Sequence, residues 1–201
     1  MGSPEMNIEG IDWSKLEGDY PYIHLLNEIG GDLHINEGIK LLDLAKNSLD
    51  EGVIVEIGSY QGRSTCFLAQ GSKLGNKGKV IAIDCQFRPE FEDNIKSMGL
   101  ENWVIPIQQF SNVYANEFKK PIKLLFIDGC HDLTAVFDDI INYSKYLVKD
   151  GVIVLHDVLE SKSHLGPAIA FKELIVNSGK YTDITYVNNS QYGLAYAKKV
   201  I

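Results

Sequence analysis

The chain has 201 residues, 45% hydrophobic and 23% charged, a usage that excludes a disordered or low-complexity protein and suits one full-sized domain. Lys and Arg total 19 against 27 Asp and Glu, so the formal charge is -8. No basic run offsets this field, which repels phosphate backbones and anionic membranes and leaves neither nucleic acid nor membrane as an expected partner.

The chain alternates short β-rich apolar runs with helix-length stretches, the pattern of a parallel sheet flanked by helices. Residues 1–51 read as a helical extension, with helices over 22–29 and 35–48 joined at Gly30-Gly31. They either cover the sheet or form a lid or dimer arm. A domain over 52–201 follows. Its first strand is Gly52-Val53-Ile54-Val55-Glu56-Ile57-Gly58, with a helix expected over 63–71. Lys79-Val80-Ile81-Ala82-Ile83-Asp84 is the second strand, and a helix over 89–98 ends at Gly99, a C-terminal cap. The third strand, Trp103-Val104-Ile105-Pro106-Ile107, lacks a ladder donor at Pro106 and belongs at an edge. Ile122-Lys123-Leu124-Leu125-Phe126-Ile127-Asp128 is apolar enough to be central. After a helix over 133–147, Lys149-Asp150-Gly151 turns the chain into Val152-Ile153-Val154-Leu155. A helix over 167–178 opens with Pro in its first turn, and strands over 181–187 and 192–197 form a closing hairpin.

Cys66, Cys85 and Cys130 form neither an even framework nor a C-x-x-C pair. No stretch approaches the ~20 apolar residues of a membrane span, and the first residues lack a signal-peptide profile. A cytoplasmic protein is the expectation.

In a doubly wound sheet the ligand lies beyond the carboxyl end of the first strand, here Glu56-Ile57-Gly58-Ser59-Tyr60-Gln61-Gly62-Arg63-Ser64. Gly58 permits a tight turn and close backbone approach, Gly62 lets the next helix pack closely, and Ser64 and Thr65 can satisfy free N–H groups at its start. A dinucleotide site would carry a second glycine where Tyr60 stands. Glu56 instead favours a cationic ligand, and Asp84, ending strand two, is placed to accept from ribose hydroxyls. A nucleoside bearing a sulfonium or ammonium group and no phosphate satisfies both.

These residues, together with Phe126-Ile127-Asp128-Gly129-Cys130-His131 and Gly151-Val152-Ile153-Val154-Leu155-His156-Asp157, resemble class I S-adenosylmethionine methyltransferases. The likeness is to the small-molecule O-methyltransferase branch that includes macrolide-sugar O-methyltransferases and cephalosporin hydroxylase-like proteins. It implies a Rossmann-like seven-stranded sheet of order 3-2-1-4-5-7-6, with the last strand antiparallel. It also implies methyl transfer to a hydroxyl of a small-molecule acceptor, a sugar or natural product. Glu56, Gly58 and Ser59 would then hold the methionine end, Asp84 the ribose, and Ser111 the adenine, with Gly62, Ser64 and Asp128 also lining the cofactor site. A homo-oligomer is compatible with this reading.

Asp128 and Asp157 end adjacent parallel strands and can converge on one hard cation such as Mg2+. Metal-dependent relatives carry an acid where His156 stands. Imidazole there would either ligate a softer metal or orient Asp157, and a metal-free site is equally open. His131, in an Asp-x-x-His spacing, is the expected general base; an ordinary histidine pKa of ~6.5 suits that task. Cys130 reads as small filler, and Asp132, Asp138 and Asp139 as solvated helix-face acids. His24, His34 and His164 have no constellation around them. The 161–164 loop, Trp13, Tyr20 and Tyr22 are candidate walls of the acceptor pocket. Two rivals remain, an NAD(P)-dependent oxidoreductase on the same sheet and a degenerate cofactor-binding sensor.

Overall fold

A computed structural model describes residues 18, 20, 22–159, 165–187 and 192–201. The strands are β1 (Val53–Ile57), β2 (Val80–Asp84), β3 (Val104–Gln108), β4 (Ile122–Ile127), β5 (Leu147–His156), β6 (Tyr181–Val187) and β7 (Leu194–Lys199). They form one sheet of order β3-β2-β1-β4-β5-β7-β6. β1 to β5 run parallel, and β7 pairs antiparallel with both β5 and β6. Pro106 falls on the edge strand, where only one side needs ladder donors. β4, buried along its whole length, sits at the centre.

The helices are α1 (Ile23–Glu28), α2 (Ile35–Lys46), α3 (Arg63–Gly75), α4 (Glu90–Ser97), α5 (Ser111–Tyr114), α6 (Leu133–Ser144) and α7 (Leu165–Ala170). α7 continues into a π-helical segment, Phe171–Val176, for which the sequence offers no evident cause. Alternate strand residues feed two cores. Ile54, Ala82, Leu124 and Phe126 pack with Phe67 and Leu68 of α3 and with Leu26, Leu41 and Leu42 of the helices before β1. Val55, Ile83, Leu125 and Ile127 face Val136, Ile140 and Phe171 on the other side. Thus α1 and α2 cover helix α3 as part of the first core. α2 lies close on α3 because neither contact surface has room for more: a Cβ at Gly38 would meet Phe67 at 2.5 Å and one at Gly71 would meet the Leu42 carbonyl at 2.2 Å.

A buried arginine fixes the chain between α1 and α2. Arg63 is 4% exposed, and its guanidinium donates to the carbonyls of Leu26, Asn27, Ile29 and Leu33 and to Asn27 Oδ1. Burial pushes its pKa down to about 10.

Several boundaries differ from expectation. α3 runs to Gly75, where Asn76 (φ 51°) supplies the left-handed cap. The fifth strand begins at Leu147 because the Lys149-Asp150-Gly151 turn is absorbed as a bulge. Leu147 pairs with Ile122 and Val152 with Leu124, with Asp150 at φ 63° between them. Tyr20 donates to Asp43 Oδ2 at 3.0 Å and packs on the first core, so it does not wall the acceptor pocket. Tyr22 precedes α1 and is 54% exposed. Trp13, the 161–164 loop and the 188–191 hairpin turn lie outside the described residues. Among the described residues no helix is long and apolar enough to cross a membrane.

Candidate active site

A cleft of about 990 Å³ opens beyond the carboxyl ends of β1, β2, β4 and β5, where the strand order reverses. Its described lining includes Asp32, Asp84, Asp128, Asp132, Asp138, Asp139 and Asp157, two histidines, and neither Lys nor Arg.

The glycine turn forms one wall through Gly58 and Tyr60. Gly58 has φ 87°, and a Cβ there would lie 2.1 Å from the Asp128 carbonyl oxygen, so this close approach is to β4's own backbone. Glu56, Ser59, Gly62 and Ser64 stand behind that wall. Glu56 is fully buried, its Oε2 accepting from Ser59 Oγ (2.8 Å) and Thr65 Oγ1 (2.5 Å), while Oε1 has no hydrogen-bond partner among the described residues. Burial pushes its pKa up to about 7, against the neighbouring hydroxyls of Ser64, Thr65 and Ser59. The acid therefore braces the turn, and these hydroxyls serve it instead of capping α3, whose cap is Gly62 with no side-chain bond.

Asp84 lies in the wall with Oδ2 accepting from the amides of Ser59 (2.8 Å) and Tyr60 (2.9 Å) and Oδ1 from that of Gln86 (2.8 Å). A carboxylate offers about four lone-pair sites, so capacity remains for a ligand hydroxyl. Phe110, 66% exposed, presents an aromatic face at the end of β3. Ser111 directs its hydroxyl to Asp139 Oδ1 at 2.5 Å, and Tyr143 donates to the Ser111 carbonyl. Asp139 is thus no solvated acid: it is 4% exposed, and burial raises its pKa to about 6 against the Ser111 bond.

At the opposite end Asp128, His131, His156 and Asp157 converge. Asp157 takes a left-handed backbone (φ 58°), a conformation tolerated by Asp more than by most side chains, where the chain leaves β5. Its Oδ2 lies 2.9 Å from His131 Nε2 and 3.2 Å from His156 Nδ1. Asp128 Oδ1 lies 3.4 Å from His156 Nδ1 and 3.9 Å from His131 Nε2. Asp128 and Asp157 raise the His131 pKa to about 10, so its ring is protonated at neutrality, unlike the ordinary histidine expected of a free base. Burial opposes the charge on Asp157, but His131 and His156 outweigh it and hold that carboxyl far below its usual range. Gly166 admits α7 against this segment, since a Cβ there would sit 2.1 Å from the His131 carbonyl.

The residue that sequence reasoning missed is Glu37. It is fully buried on α2, and its Oε2 accepts the His34 amide at 3.0 Å and lies 3.1 Å from His156 Nε2. His34, which has no constellation around it in the sequence, caps α2 by accepting from Asn36 N. Two signals were available: a capping-box spacing, and an acid four residues before Leu41 on the apolar face of α2. His156 is consequently enclosed, 3% exposed with carboxylate oxygens at both ring nitrogens. Both of its nitrogens thus face carboxylates, and the potential metal-ligand atoms that converge are those of Asp128 and Asp157 with a different histidine. His131 completes the cluster whose potential ligand atoms lie within 4.8 Å of one another.

A family model described as a methyltransferase domain (Methyltransf_24) matches residues 55–158, more than half of the chain. The protein belongs to this methyltransferase family. The matched span starts inside β1 and ends just beyond Asp157, so it holds both ends of the cleft. The methyltransferase is 28% identical over 170 residues to an uncharacterised protein of Acanthamoeba polyphaga mimivirus, covering 78% of this chain and 75% of that one. It shares its fold with the O-methyltransferase TomG of Streptomyces achromogenes, solved with S-adenosylmethionine, at a TM-score of 0.68 and 16% identity over 92% of this chain and 89% of TomG. A Bacillus cereus O-methyltransferase solved with S-adenosylhomocysteine superposes with a TM-score of 0.68 at 20% identity, covering 96% of this chain and 94% of that one.

Proposed function

We infer that this methyltransferase moves the methyl group of S-adenosylmethionine to a hydroxyl of a small molecule, a sugar or natural product. One observation carries the reading. A single cleft joins Asp84, a strand-end acid, to a histidine–carboxylate centre, His131 with Asp128 and Asp157, and its described lining contains no Lys or Arg. Such a wall suits a sulfonium and disfavours the pyrophosphate of a dinucleotide, for which Tyr60 also blocks the second glycine position.

The residues present fit the nucleoside cofactor. Asp84 is held rigidly by three amides with acceptor capacity left, and Phe110 offers a face for a purine ring. When bound, S-adenosylmethionine supplies a methyl group on a positively charged sulfur. The protein positions the acceptor oxygen in line with that methyl, the largest contribution open to it in a displacement of this kind. Asp128 orients the acceptor. His131 takes the hydroxyl proton in the fraction of molecules whose ring is neutral, and Asp157, 2.9 Å from Nε2, stabilises the resulting imidazolium.

A divalent metal, where one is used, would be held by Asp128, Asp157 and His131, whose potential ligand atoms lie within 4.8 Å of one another, and would supply Lewis-acid polarisation of the acceptor hydroxyl. No step is assigned to it.

Isothermal titration of the full chain with S-adenosylhomocysteine and with NAD tests the cofactor. Binding of the first and not the second is expected; the reverse would support an oxidoreductase and refute the reading. Transfer of radiolabel from methyl-labelled S-adenosylmethionine into a panel of sugars and phenols tests the acceptor class.

A further inference from the structure

The order of the strands sets where a nucleoside's base must lie. Across their carboxyl ends stand Phe110 and Ser111 after β3, Asp84 on β2, Gly58 after β1, Asp128 after β4 and Asp157 after β5. Neighbouring strands are about 4.8 Å apart, so a nucleoside with its ribose at Asp84 and its sulfur towards the β4–β5 centre sends its base to the end of β3. A buried acid from another element reaches that end. Asp139 of α6 is 4% exposed and belongs to the cleft lining. Its Oδ1 accepts the Ser111 hydroxyl at 2.5 Å, and its Oδ2 accepts from no described residue. That oxygen is not sealed off as the orphaned Glu56 Oε1 is, and its opening is into the cleft. The described lining offers it no Lys or Arg. Ser111 has one hydroxyl hydrogen and has given it to Asp139, so the free acceptor at this end that carries charge is the carboxylate.

We propose that Asp139 selects the base of the cofactor: Oδ2 accepts a hydrogen bond from the exocyclic 6-amino group of adenine, and Ser111 is the positioning residue that holds the carboxylate through Oδ1. The proposal rests on the S-adenosylmethionine reading and adds to it a specificity determinant on α6. Chemistry limits the partner. A carboxylate accepts and does not donate, and of the nitrogens on the edge of adenine N1, N3 and N7 are acceptors, so only the amine can meet it. Stacking on Phe110 would set the plane of the ring, and one in-plane acceptor sets its rotation. The carboxyl, with a pKa raised by burial to about 6, is mostly ionised at neutrality, and its bond to the amine is charge-assisted. Tyr143, also on α6, donates to the Ser111 carbonyl at 2.8 Å, so both ends of Ser111 are tied to the helix that carries Asp139 and the acceptor is preset before the ligand arrives. Ser111 thus serves the base through Asp139, where the sequence suggested direct contact.

The test is calorimetry on the full chain at about pH 8 with two probes, S-adenosylhomocysteine and its analogue in which unsubstituted purine replaces adenine, so that only the 6-amino group is missing. The wild type is expected to prefer S-adenosylhomocysteine roughly 10- to 100-fold, the range for a charged hydrogen bond. Asp139→Ala should bind both probes alike, at about the wild type's affinity for the purine analogue. A merely structural Asp139 would instead weaken both probes equally and keep the preference between them, which overturns the proposal. If Asp139→Ala does not fold, Asp139→Asn keeps the shape and removes the charge; the preference should shrink by about threefold or more whichever way the amide turns, and full retention overturns the proposal. Equal binding of the two probes by the wild type refutes the role of Asp139 and leaves the cofactor reading standing. Binding of neither refutes both.

Discussion

Replacing Glu56 by Gln should make the protein's stability less dependent on pH, and the structure sets the size and sign. Glu56 is fully buried, with one oxygen held by Ser59 and Thr65 and the other without a hydrogen-bond partner among the described residues. Its pKa rises from 4.5 to about 7 on folding, chiefly through burial. Because the folded pKa is the higher one, the native state binds a proton that the unfolded chain has lost in the window between those values. Stability from this group is therefore fully present below pH 4.5 and is lost as pH rises through 7, by about 3 kcal/mol in total. Gln keeps an acceptor for the two hydroxyls and never ionises. Urea unfolding of both proteins without ligand, from pH 4.5 to 8, should show the variant gaining about 3 kcal/mol on the wild type across the window. Parallel stability curves would refute the argument and mean that Glu56 ionises freely where it sits.

Arg63→Met removes five hydrogen bonds from a buried cation and orphans the carbonyls between α1 and α2; a loss of about 3 kcal/mol or more is expected in chemical denaturation. With the His131 pKa raised to about 10, the neutral base grows with pH, so methyl transfer should climb from pH 7 towards 10. A plateau above pH 6.5 in the transfer rate, or an imidazole resonance titrating there, would contradict this. Asp84→Ala removes the ribose acceptor and unties the amides of Ser59 and Tyr60. Affinity for S-adenosylhomocysteine should fall roughly 10- to 100-fold by calorimetry, the loss expected for a charged hydrogen-bond acceptor.

What could be read in the sequence was what depends on local pattern. Apolar runs located the strands, Pro106 announced an edge, and Gly58 announced a close approach, though the neighbour is the Asp128 carbonyl instead of a ligand. Acids at strand ends located the cleft because the carboxyl ends of parallel strands face one side. What depends on tertiary contact was not legible. Glu56 and Asp84 look alike as strand-end acids, yet one is turned into the α3 face and the other into the cleft wall. Asp139 is buried because Ser111 approaches it from another element. Glu37 and His156 are 119 residues apart, and no local spacing relates them.

The arginine between α1 and α2 bears on where this protein can be cut. The family match begins at residue 55, but a fragment starting there would keep the Arg63 guanidinium and discard each of its acceptors, Leu26, Asn27, Ile29 and Leu33. The same cut would strip Glu37 from His156. The span the family model matches is thus smaller than the unit these contacts tie together, and an excised domain that retains residues 23–46 should unfold more cooperatively than one that begins at residue 55.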